Sequence, residues 1–142
     1  YLAANPRIET PADLGRHQIV AMANFGLDSW TFPPAPGSAV SRTVHFTPRV
    51  LVNTVRAAIA SSVDGLGVTR LYSYHLADKI RGGSLEIVLA GDEPEPQPVH
   101  LVAQPSRMAV PKVRAFVDFA VPRLRAEFRR LAGEAGTLDA AL

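Results

Sequence analysis

Between Arg49 and Leu89 short apolar segments alternate with helix-forming runs, and this alternation leaves few architectures open to the chain. Arg49–Val52 predicts a short strand. Asn53 then offers an N-cap, a side-chain oxygen able to accept from the first free backbone N–H groups of a helix running to about Val63. Val55, Ile59 and Val63 recur at four-residue spacing and Ala58 widens their stripe, the periodicity of an amphipathic helix. Asp64-Gly65 stops that helix, because glycine takes the left-handed cap conformation freely. Leu66–Arg70 predicts the next strand, Tyr72–Ile80 a second helix and Arg81-Gly82-Gly83 a turn. Leu85–Leu89 is nearly continuous in apolar residues, which predicts a strand buried on both faces. Strand, helix, strand, helix, strand in this order is a right-handed parallel α/β unit.

The flanks extend it. Pro11–Leu14 predicts one helical turn with Thr10 as N-cap and Pro11 at the first helical position. His17–Ala21 predicts a strand and Phe25–Asp28 a loop. Ser29–Phe32 and Val40–Phe46 alternate as the two arms of a hairpin, separated by a turn rich in Pro33, Pro34, Pro36 and Gly37. Downstream, Pro94, Pro96 and Pro98 stiffen Gly91–Pro98 into an extended connection unable to join a sheet interior. Val99–Ala103 predicts a strand and Pro105–Val110 a loop. A long helix then starts at Pro111, with Val113, Phe116, Val117, Ala120, Leu124, Phe128 and Leu131 along one side. Pro122 removes a backbone hydrogen bond, so a kink or break is expected near Phe119, and Gly133–Leu142 reads as a frayed tail.

With 47% hydrophobic and 20% charged residues, the 142-residue chain has enough apolar material for a core, which excludes a disordered protein. No apolar run approaches the roughly 20 residues that span a bilayer. The first residues lack the basic and apolar regions of a secretory signal, and the absent initiator Met suggests a piece of a longer protein. The absence of cysteine removes disulfides and thiolate metal sites and suits a reducing compartment. Net charge is +2, with much of the positive charge between Lys112 and Arg130. A nucleic-acid patch is one reading of that run. A solvated helix face fits better, since the charges interleave with an apolar stripe.

Chemistry is sparse. His17, His45, His75 and His100 have no metal-ligand spacing. Gly82-Gly83-Ser84-Leu85-Glu86 fails as a nucleophile elbow at its last position. Gly65-Leu66-Gly67 precedes a strand where a dinucleotide fingerprint must follow one, and Arg70 replaces its third glycine. With no nucleophile, base and oxyanion site together, the expectation is a non-enzyme without metal or cofactor. One feature does point to binding. Asn53, Thr54 and the free N–H groups of Val55 and Arg56 form a helix start at the carboxyl end of a strand, where ligands sit in α/β sheets and anions are favoured. Thr69 and Arg70 end the neighbouring strand on the same edge. Plain N-capping by Asn53 is the competing explanation.

Several segments, in order, resemble the effector-binding domain of LysR-type transcriptional regulators. They are Tyr1-Leu2 with Pro11-Ala12-Asp13-Leu14 and His17; Trp30-Thr31-Phe32; Val52-Asn53 with Ala57-Ala58, Gly65-Leu66-Gly67-Val68, Leu71 and Tyr74; Gly83-Ser84-Leu85 with Val88-Leu89; and Pro105-Ser106-Arg107 with Pro111–Phe119. The resemblance implies a periplasmic-binding-protein type II-like α/β lobe, with a mixed, largely parallel sheet flanked by helices, plus a long C-terminal helix. It implies residues 1–98 as the second regulatory lobe, residues 99–132 as a crossover strand and helix of the first lobe, and residues 133–142 as the tail. It further implies a small-molecule effector at Asn53, Thr54, Thr69 and Phe25, with an organic anion favoured. The remaining implications are a cytoplasmic, membrane-free homo-oligomer that meets promoter DNA only through an N-terminal domain outside this chain. A solute-binding or dimerisation module of the same fold, without a transcriptional role, is the alternative.

Overall fold

A computed structural model describes residues 1–104, 106 and 110–137. Two compact units divide the chain, Tyr1–Pro94 and Glu95–Leu142.

In the first unit, β1 (Ile19–Met22) is the middle strand of a three-stranded parallel sheet, between β4 (Val50–Val52) and β5 (Val68–Thr69). Its register pairs Val20 with Val50 on one side and with Thr69 on the other. A central strand covered on both faces must be apolar at every position, and all four residues of β1 are buried. Ile19 and Ala21 join Leu14, Trp30 and Phe32 in the core, against which Ile8, Val44, Phe46, Val68 and Leu89 pack. Complete burial of Leu14, Ile19 and Val20 contributes on the order of 1.5–3 kcal/mol each.

The helix α1 (Val55–Val63) packs on β1 through Ala58, which is fully buried. A methyl side chain lets helix and sheet approach closely. The expected core stripe is therefore corrected: Val55 and Ile59 are half-buried and Val63 is exposed, facing an open groove between α1 and α2 (Ser73–Arg81).

The hairpin forms as the alternation predicts. β2 (Ser29–Phe32) and β3 (Arg42–His45) pair antiparallel, Trp30 opposite Val44 and Thr31 opposite Thr43. Trp30 and Phe32 point into the core, and the Trp30 ring meets Phe46 edge to face at 4.8 Å. Upstream, the expected helical turn is a 3-10 turn over Pro11–Arg16. The Asp13 carboxylate accepts from the Thr10 N–H at 2.9 Å and the Thr10 hydroxyl at 2.8 Å, and pairs with Arg16.

Two expected strands do not form. Leu85–Leu89 is half-buried over most of its length but joins no ladder. Leu89 takes a left-handed conformation (φ 59°, ψ 36°) that ends any strand, and a 3-10 turn follows at Ala90–Asp92. Asp92 pairs with Arg42 at 2.5 Å, which holds this turn to the hairpin. Val99–Ala103 is no strand either; Val99 is 63% and Val102 89% exposed, so no sheet covers them. In the second unit, α3 (Pro111–Thr137) continues through Pro122, so of the kink or break expected there the break does not occur, and the helix extends past Gly133. The Arg123 guanidinium donates to the Phe119 carbonyl at 3.0 Å, adding a donor in the turn that proline deprives of one. Most of the expected loop 105–110 and the last five residues, 138–142, lie outside the described residues.

Candidate functional site

Because β4, β1 and β5 are parallel, Val52, Met22 and Thr69 all end at one edge of the sheet. That edge is where α/β sheets leave room for ligands. The sequence-derived candidates lie along it: Phe25 in the loop after β1, Asn53 and Thr54 after β4, and Thr69 at the end of β5 itself.

The α1 start differs by one residue from expectation. Thr54, not Asn53, is the N-cap, and its Oγ1 accepts from the Ala57 N–H at 3.2 Å. Thr54 is extended (φ −128°, ψ 142°), the backbone of a cap rather than of a helical residue. Asn53 sits one position before it, exposed. The first-turn N–H groups of Val55 and Arg56 lie beyond the reach of intrahelical acceptors, as at any helix start.

Across β1, the Thr69 hydroxyl donates to the Val20 carbonyl at 3.0 Å, which fixes its rotamer while leaving its lone pairs able to accept. The β4 and β5 strands flank β1, and Val50 and Thr69 both pair with Val20, so Thr54 stands four residues further along the strand direction than Thr69. Between them lies the loop after β1. It is tied down by Ala23 N–H donating to Val52 at 3.1 Å and Phe25 N–H donating to Met22 at 2.9 Å. Gly26 makes the turn at φ +103°, where a Cβ would run into the Ser29 carbonyl. The half-buried Phe25 ring then meets Tyr72 edge to face at 4.9 Å.

Phe25 is thus joined to the β5 side of the edge, with Asn53 and Thr54 on the β4 side. Arg70, which ends the same segment as Thr69, and Tyr72 enlarge it. Arg70 follows β5, donates from Nη1 to the Thr31 carbonyl at 3.0 Å and lies 5.3 Å from the Phe32 ring centroid. Burial pushes its guanidinium below the ordinary arginine value, with Tyr72 opposing the shift. Tyr72 itself stacks on Tyr74 at 5.6 Å and 11°. A charged residue directly after an apolar strand, followed two positions later by tyrosine, was the available signal.

Among the described residues no group of three His, Asp or Glu side chains is placed to hold a metal ion, and no helix is long and apolar enough to cross a membrane. His17 is buried, with its Nδ1 3.1 Å from the Tyr1 hydroxyl, which also accepts from the Gln18 N–H at 2.8 Å. This arrangement ties the first residues to β1.

A parallel sheet with helices, an antiparallel hairpin and a long C-terminal helix make up an α/β fold of the periplasmic-binding-protein type II-like class, as the following comparisons show. The LysR substrate binding domain model matches residues 1–125, and the chain belongs to that family. It is 30% identical over 133 residues to the HTH-type transcriptional regulator PtxR of Pseudomonas aeruginosa, which covers 93% of this chain. The chain spans only 42% of that relative's length. Two solved structures share the fold. The regulatory domain of an AphB variant from Vibrio vulnificus matches 65% of this chain and 46% of its own, with TM-score 0.54 and 24% identity. A full-length AphB variant matches 58% and 27%, with TM-score 0.51 and 19% identity.

Proposed function

We propose that the chain is the effector-sensing part of a LysR-type transcriptional regulator and has no catalytic role. Residues 1–98 act as the second lobe, and residues 99–132 belong to the first. Promoter DNA is met through an N-terminal domain outside this chain, in a cytoplasmic homo-oligomer. The observation carrying this reading is the shared carboxyl edge of β1, β4 and β5, where the loop of Phe25 is anchored by backbone hydrogen bonds, Thr54 beside Asn53 by its cap bond and Thr69 by its bond to Val20. A small organic anion fits such an edge. The α1 start offers N–H groups and the positive end of a helix dipole, worth about 0.3–1 kcal/mol to a nearby negative charge.

Thermal-shift screening against small carboxylates tests this. A saturable rise in Tm is expected, and Asn53→Trp and Thr54→Trp should each abolish the ligand-induced increment. An increment that survives both changes removes the assignment of these residues. Sedimentation velocity tests the oligomer separately, and a monomer at all concentrations would contradict it.

A further inference from the structure

Arg70 is a half-buried cation with no carboxylate partner. Among the described residues its interactions are the single hydrogen bond to the Thr31 carbonyl, the Phe32 ring beside it and the field of Tyr72. A guanidinium has five N–H donors and stays charged at any physiological pH. Taking it partly out of water without a counter-charge is unfavourable, so an anion arriving beside it recovers energy already spent on desolvation. Two residues on from it, Tyr72, whose field reaches Arg70, is the middle ring of a row with Phe25 and Tyr74, with successive centroids 4.9 Å and 5.6 Å apart. Tyr72 remains 45% exposed despite both contacts. The row leaves aromatic surface in water beside an unneutralised charge.

We infer that the molecule taken at this edge is an aromatic carboxylate, its anionic group paired with Arg70 and its ring packed against Tyr72. This rests on the effector-site reading above and adds the ligand's chemical class and two residues that select it. An aliphatic acid would satisfy Arg70 but not the rings; a neutral aromatic would do the reverse. Requiring both is how the edge discriminates. The fork of Arg70 suits the two oxygens of a carboxylate, and offset or edge-on ring contacts suit a planar ligand.

The test is a ¹H–¹⁵N titration of the chain with benzoate, benzamide, cyclohexanecarboxylate and succinate. Benzoate should shift the Phe25, Arg70 and Tyr72 amides saturably. Benzamide and cyclohexanecarboxylate should bind about tenfold or more weakly, the scale of one lost charge-assisted or stacking contact. Arg70→Gln should erase the preference for benzoate over benzamide, and Tyr72→Leu the preference over cyclohexanecarboxylate. Unchanged amide shifts in β1 and α1 certify the fold of each variant. If Arg70 only clamps β5 to the hairpin, Arg70→Gln lowers Tm but leaves the benzoate to benzamide ratio intact, and the inference falls. Succinate binding at Asn53 and Thr54 independently of Arg70 and Tyr72 overturns the inference while the effector reading stands. No saturable shift with any of the four overturns the inference, and the broader carboxylate screen then decides the effector reading by itself.

Discussion

Gly67 shows how a single position can hold the sheet together. It sits at φ +147° where β5 approaches β1, and a Cβ there would lie 2.7 Å from the Gln18 carbonyl carbon and closer still to its oxygen. The Val68 N–H donates to that same Gln18 oxygen at 2.9 Å, so the obstacle is backbone and cannot swing aside. Gly67→Ala should cost about 2–3 kcal/mol, read as a lower denaturation midpoint. Thr54→Ala should cost about 1 kcal/mol through the lost cap, and Thr54→Ser should recover most of it. Asp13 gives a pH signature. The Thr10 hydroxyl and N–H, then Arg16 and the Glu9 N–H, draw its pKa from 3.8 down to about 2. A depressed carboxylate contributes stability above its unfolded value and loses it as pH falls through the folded one. The Tm gap between wild type and Asp13→Asn should therefore be constant above about pH 4 and close as pH falls towards 2. At this scale the sequence was partly legible. The edge position of Asn53 and Thr54 follows from strand and helix periodicity, but two adjacent cap-forming residues compete. Only the backbone angles of Thr54 decide which of them caps.

Among the elements, local pattern succeeded where each segment carries its own pairing partner nearby. The β2–β3 hairpin is legible because its arms alternate and a proline-rich turn joins them. The buried β1 is legible because it is apolar throughout. Leu85–Leu89 and Val99–Ala103 look equally strand-like, yet a strand exists only when a neighbour accepts its hydrogen bonds, and their composition says nothing of that neighbour. Tyr72 is illegible in the sequence for a related reason: its meeting with Phe25 depends on two loops converging, not on any spacing within either. The long helix brings the opposite lesson. Pro122 should kink or break α3 by local rules, and the helix continues on both sides of it. It does so at a cost that a substitution can expose. Pro122 is exposed, so Pro122→Ala restores a hydrogen bond without touching a core. Replacement should stabilise the helix by up to about 3 kcal/mol, visible as greater ellipticity at 222 nm and a later loss of helix on heating.

At the scale of the whole molecule, the question is where the cooperative core ends. Every residue of the main apolar cluster, Leu14, Ile19, Ala21, Trp30 and Phe32, belongs to the first unit, as do the five strands found among the described residues. The Arg42–Asp92 pair and the left-handed Leu89 close that unit just before Pro94, and Arg42 also donates from Nε to the Pro33 carbonyl at 2.9 Å. The connection beyond it is proline-rich and exposed, the kind of segment that transmits little cooperativity. A chain ending at Pro94 should therefore fold alone. Trp30 is the sole tryptophan and is buried, so its emission maximum reports this core directly. The shortened chain should keep the blue-shifted emission and unfold within a few degrees of the full chain, by about the 4–8 °C per kcal/mol expected for domains of this size. It should also bind benzoate with the full chain's selectivity, since Phe25, Arg70 and Tyr72 all lie within it. Red-shifted Trp30 emission in the shortened chain would mean that the sheet needs residues beyond Pro94. In that case the carboxyl edge described above would be incomplete as a binding surface by itself.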